Sequence, residues 1–145
     1  MKINRQLVND RMREIRESAA KMQRYAALSD AEFWADERNL YTVLHLFLIA
    51  LEAMGALCTH LLARSARKAP ASFAECMDGL RDLGIVDDAL AAQLVRMARF
   101  RNLIVHRYWQ VEPNRVLTYA RENLSDFDAY LAAIERYIQG KTQEA

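Results

Sequence analysis

Between Asp88 and Glu112 the chain carries no acidic residue, yet this span holds Arg96, Arg99, Arg101, His106 and Arg107. Elsewhere the charges are mixed, so this is the one clear block of single sign. Within it runs Arg101-Asn102-Leu103-Ile104-Val105-His106-Arg107-Tyr108. An imidazole titrates near neutral pH and can take up or release a proton during a reaction. A guanidinium offers forked donors that can hold two phosphate oxygens as charge builds on them. Together they suit proton transfer beside a phosphate. The structural alternative is a basic helix face that pairs with acids on neighbouring helices.

On a helix each residue turns by about 100°. Asn102, His106 and Trp109 therefore share one face, and Arg101, Val105 and Tyr108 share another, roughly 140° away. One surface can still serve both faces, because Arg101 is long and the helix end near Trp109 can unwind. The 16 arginines against 4 lysines fit phosphate recognition and a GC-rich genome alike. The net charge of +1 excludes a general polycation, so any affinity for nucleic acid must be local.

The elements that must position this block read as helices throughout. The chain has 145 residues, 52% hydrophobic and 27% charged, with four Gly and two Pro. That suits one domain over residues 1–145 and leaves little material for hairpins. Ile3, Leu7, Ile15, Ala19, Met22 and Ala26 form one seam of a first helix of about seven turns. Ser29 and Glu32 make a capping box ahead of a second long helix, from Phe33 or Asp36 to Arg64. Its wide apolar face predicts burial on more than one side, in a bundle centre or a dimer contact. Ser72 and Glu75 form a second box, opening a short helix that Gly84 stops. Asp87 caps a fourth helix, Asp88 to about Tyr108, and Pro113 breaks the chain. A fifth helix carries Val116 through Ile138 and ends at Gly140, leaving 141–145 as a frayed tail. No segment reads as strand. The expectation is an all-α, up-and-down four-helix bundle with one additional short helix.

Arg101-Asn102-x-x-Val105-His106-x-Tyr108 resembles the Arg-x4-6-His signature of HEPN domains. It looks most like the HepT toxins, whose motif is Arg-x4-His-x-Tyr. The likeness extends over nearly the whole chain, through Arg38 at the start of the long apolar helix, Pro70-Ala71-Ser72-Phe73 and Leu83-Gly84-Ile85. It implies the toxin of a type VII toxin–antitoxin pair: a metal-independent endoribonuclease, with Arg101 and His106 as catalytic residues and Asn102 in support. The 2′-hydroxyl of RNA is then the nucleophile, and the product ends in a 2′,3′-cyclic phosphate. One histidine does not readily serve as base and acid on opposite sides of one phosphorus, whereas a two-fold dimer brings two copies to one cleft. A homodimer is therefore expected. The resemblance further implies a partner, an MntA-like minimal nucleotidyltransferase antitoxin that transfers AMP to Tyr108, and larger hetero-oligomers with it. Tyr119 is a lesser candidate for modification. The rival within the family is a non-catalytic HEPN module that binds such a partner or a nucleotide.

Other residues read less sharply. Arg38, Arg96, Arg99 and Arg107 are candidate contacts to the RNA backbone or ordinary ion-pair partners. Trp109 can stack on a base, but a buried Trp is the simpler expectation, as is a partly buried Tyr108. His45 and His60 read as packing or surface residues. No Asp, Glu and His set has metal-ligand spacing, and no cofactor is expected. Cys58 and Cys76 fit no metal pattern and are expected as reduced thiols in or near the core of a cytoplasmic protein. No leader segment is evident. The longest apolar stretch, Val43 to Leu57, is interrupted by His45 and Glu52 and reads as too short to span a bilayer.

Overall fold

A computed structural model describes residues 2–144, with side chains through Lys141. Helix α1 (Arg5–Ala26) starts where the Asn4 side chain accepts the Leu7 N–H at 3.1 Å. Its apolar seam buries Val8, Met12, Ile15 and Met22 against α3 (Arg38–Ser65). Ser29 and Glu32 do form a reciprocal capping box, but it opens a separate helix, α2 (Asp30–Trp34). Asp36 then bends the chain: its carboxylate accepts the Arg38 N–H at 3.0 Å, and α3 begins there. The second long helix is thus two elements, and Phe33, fully buried, anchors the short one.

Helix α3 is the centre of the core, with Val43, Ala50, Leu51, Met54, Leu57, Leu61 and Leu62 all fully buried. Its 28 residues are long and apolar enough to cross a membrane, contrary to the expectation from the interrupted stretch. More than half of its most apolar window is buried inside the bundle, as befits a core helix. Ser72 caps α4 (Phe73–Asp82) by accepting the Glu75 N–H at 3.1 Å. Gly84 ends it at φ +74°, and the Ile85 N–H closes back on the Leu80 carbonyl at 2.9 Å. Helix α5 (Asp88–His106) follows, capped by Asp87. The expected fifth helix is also two: α6 (Pro113–Glu122), with Pro113 in its first turn, and α7 (Ser125–Glu144). Gly140 does not stop α7, because a glycine only weakens a helix that packing already holds. Residues 141–144 are helical rather than a frayed tail, and Ala145 lies outside the described residues.

No strand occurs among the described residues, so the chain is an all-α bundle. Phe47 joins three helices, edge-on to Phe100 of α5 at 5.2 Å and tilted against Phe127 of α7 at 6.3 Å. The fully buried Tyr130 donates its hydroxyl to the Met54 carbonyl at 2.9 Å, and burial pushes its phenol pKa up. Arg121 of α6 donates to the Ala26 and Leu28 carbonyls at 3.1 and 2.7 Å and pairs with Asp30 at 2.5 Å, closing the α1–α2 turn.

Cys58 and Cys76 are not separate thiols. The α3–α4 hairpin brings their Cα atoms to 6.0 Å across 18 residues of sequence, and the two are bonded as a disulfide. Both are buried, as expected. Gly79 lies at the same seam. A Cβ added there would fall 2.7 Å from Leu62 Cδ1, so the fully buried Leu62 side chain would have to shift. Gly79→Ala is therefore expected to destabilise the fold by about 1–3 kcal/mol, read as a lower midpoint in urea unfolding.

His60 ties the chain's start to α3 by accepting the Asn4 N–H on Nε2 at 2.9 Å. Burial, and then the Arg64 charge, hold its pKa below the ordinary histidine range. A depressed folded pKa means that the unfolded chain binds the proton more readily. This stabilisation is present above about pH 6.5 and is lost as pH falls through the folded value. Thermal melts on a descending pH series should show that loss, and His60→Gln, which keeps an acceptor for Asn4, should flatten it.

Candidate active site

The last turn of α5 sets the geometry. The helix stops at His106 because Arg107 leaves helical space, at φ −140° and ψ 44°, while its N–H still bonds to the Leu103 carbonyl at 2.9 Å. Tyr108–Gln110 then form one turn of 3-10 helix before Pro113 starts α6. This turn stands beyond the packed end of the bundle. Tyr108 is 71% and Trp109 68% exposed, their rings edge-to-face at 5.5 Å. The expectation of a buried Trp109 therefore fails, because the chain leaves the bundle when α5 ends at His106, and Tyr108 stands in the open rather than in the partly buried place of an ordinary packing aromatic.

Arg101 lies one and a half turns back and is only 24% exposed. Its Nε donates to Glu52 Oε1 of α3 at 2.8 Å, and its Nη1 donates to Asn102 Oδ1 at 3.1 Å. The amide thus steadies the guanidinium rather than the imidazole. Glu52 is the residue that the sequence reading missed. It was visible as a lone acid in an otherwise apolar stretch, but only the α3–α5 packing shows that it supplies the acid absent from 89–111. Arg101 and Glu52 form one end of an open groove of about 740 Å³, which runs between α3 and the start of α4 past Phe73 to His60 and Arg64.

His106 is exposed on the neighbouring face of α5, and no hydrogen bond joins it to Arg101 among the described residues. The two stay on the separate helix faces that their spacing dictates. Arg38 is remote: its guanidinium is bidentate to Asp36, at 3.0 and 2.7 Å, and 86% exposed. That pairing holds the Asp36 carboxyl below its usual range and raises the Arg38 pKa. Arg38 is also 14 residues along α3 from Glu52, about 21 Å at the helical rise. Arg96 and Arg99 border a second cavity, and Arg107 is exposed beside Tyr108. His45 is exposed on α3. Among the described residues no cluster of His, Cys, Asp and Glu is placed to hold a metal ion.

Solved structures share this fold. The tri-AMPylated HEPN toxin of Shewanella oneidensis, in complex with its MNT antitoxin, superposes with a TM-score of 0.80 at 19% identity, covering 90% of this chain and 97% of that one. A toxin–antitoxin structure with AMP-PNP gives 0.78 at 19% identity, covering 88% and 97%. YutE of Bacillus subtilis, described as a cytosolic protein of unknown function, gives 0.83 at 14% identity, covering 96% and 93%. No curated protein matches the sequence. Residues 15–134, which include the capped α5 helix and its Arg101–Tyr108 end, match the family described as Ribonuclease HepT-like, and the chain belongs to that family.

Proposed function

We propose that the protein is the toxin of a toxin–antitoxin pair, a metal-independent endoribonuclease of the cytoplasm. The observation that carries the reading is the end of α5. A guanidinium held by Glu52 and Asn102 lines an open groove of about 740 Å³, and an exposed imidazole and phenol stand on the adjoining turns. His106 removes the proton from a ribose 2′-hydroxyl. The 2′-oxygen then attacks phosphorus, the bond to the 5′-oxygen breaks, and that oxygen takes up a proton. The products are a 2′,3′-cyclic phosphate and a 5′-hydroxyl. Arg101 shares its donors between Glu52 and the non-bridging phosphate oxygens as negative charge builds.

The second proton donor is His106 of a second copy in a two-fold homodimer. The exposed Tyr41, Val105 and Trp109 offer apolar surface for such pairing. Arg96, Arg99 and Arg107 guide the RNA backbone near His106. An MntA-like nucleotidyltransferase neutralises the toxin by adding AMP to Tyr108. The related Shewanella toxin, which is tri-AMPylated and bound to its antitoxin, supports this partnership. The test is a paired substrate. Single-stranded RNA should be cut in the presence of EDTA, and the same sequence methylated at every 2′-oxygen should stay whole. Cleavage of both would remove the 2′-hydroxyl from the mechanism.

A further inference from the structure

Across α5 from the Arg101 groove lies a second cavity of about 340 Å³, bounded by α5, the 3-10 turn and α6. Its apolar wall is Leu103, Val111 and the half-buried Tyr119, whose ring is backed by the buried Phe100 at 4.9 Å with ring planes 10° apart. Arg96, Arg99 and Arg115 stand at its rim, and the Gln110 amide faces the same space. The volume falls in the range of small-ligand sites, roughly 300–1,000 Å³. The rim is only partly neutralised. Glu112 also lines the cavity and pairs with Arg115 at 3.9 Å, and Arg96 has a 3.3 Å bond to the Gln93 amide and feels the charge of Asp126. Arg99 has no hydrogen bond or ion pair among the described residues.

We infer that this cavity holds one nucleotide of the RNA strand, on the His106 side of α5 and away from the Arg101 groove. An apolar aromatic wall suits the face of a base, an amide can bond its edge, and forked guanidiniums suit phosphate oxygens. Position supports the strand over an unrelated anion. Arg99, Asn102 and His106 follow one another at i, i+3 and i+7 on one face of α5, so the rim lies about 10 Å along the helix from the imidazole. The inference rests on the ribonuclease reading for its substrate. A free nucleoside phosphate has the same chemistry, and the experiment separates the two.

Labelled single-stranded RNA is titrated into the full chain carrying His106→Ala, so that binding is read without cleavage. Adding Arg99→Ala and Arg115→Ala should weaken binding at least tenfold and flatten its salt dependence by roughly 0.7 per lost phosphate contact. Arg24→Ala, on the exposed face of α1, should change neither. With His106 intact, the same pair of changes should raise KM and leave kcat in place. Thermal melts confirm folding, and Gln110→Ala alone carries the test if the double change unfolds. Unchanged RNA affinity and KM overturn the inference. So does loss of AMP binding with RNA affinity kept, which assigns the cavity to a free nucleotide. RNA that is bound but never cut by the wild type sinks the nuclease reading and leaves the cavity standing.

Discussion

Arg101→Ala and His106→Ala should each lower the rate constant for RNA cleavage by about two to four orders of magnitude, with the fold intact. The size follows from the chemistry: a positioned general acid or base contributes about 10²–10⁴-fold, and a preorganised donor to a charged transition state about 10²–10³-fold. His106 is exposed, so its loss removes no core packing. Arg101 carries a second consequence. Removing it leaves the Glu52 carboxylate at the groove with no cation at 2.8 Å, where it repels an incoming phosphate. Arg101→Ala with Glu52→Gln should therefore bind RNA more tightly than Arg101→Ala alone. Arg101→Lys should restore little, because an ammonium cannot span Glu52 and two phosphate oxygens at once. Steady-state cleavage of a short labelled RNA reads all four variants. Wild-type rates in both single variants would remove these groups from the reaction.

Modification of Tyr108 should have an effect of the same order. The phenol is 71% exposed on a turn outside the bundle, open to another enzyme's active site. Each AMP adds a phosphate beside His106 and Arg107 and bulk at the mouth of the site, which repels and blocks an RNA phosphate. Protein co-produced with its nucleotidyltransferase partner should carry one or more AMP units and lose RNA cleavage by about two orders of magnitude or more, since blocking the site removes the general-acid contribution. Tyr108→Phe should keep its nuclease activity, gain no mass and escape neutralisation. Mass retained in that variant, but lost in Tyr119→Phe, would move the modification to α6.

The helices were legible wherever one local rule governed them. Ser29, Ser72, Gly84, Asp87 and Pro113 cap, stop or start elements at the positions that their side chains dictate. The last boundary failed where packing outweighed local preference, since helix α7 passes through Gly140. Of the two starts expected for the second long helix, the one at Asp36 stands, because its carboxylate caps α3 locally. The site was half legible. The motif's residues sit at one helix end, and their helical phase correctly kept Arg101 and His106 apart. Glu52 and the cysteine pair could not be read in advance, because each depends on which residue of another helix lies opposite. Trp109 is exposed rather than buried because α5 breaks at Arg107, whose backbone leaves the helix with no Gly or Pro to signal it.

The most direct measurement of the central claim is incubation of the purified chain with single-stranded RNA in excess EDTA, reading fragment ends by mass. The account predicts fragments with 2′,3′-cyclic phosphate and 5′-hydroxyl ends from the wild type, and intact RNA from His106→Ala. Equal amounts of intact RNA from both proteins, or fragments that disappear with EDTA, would contradict it.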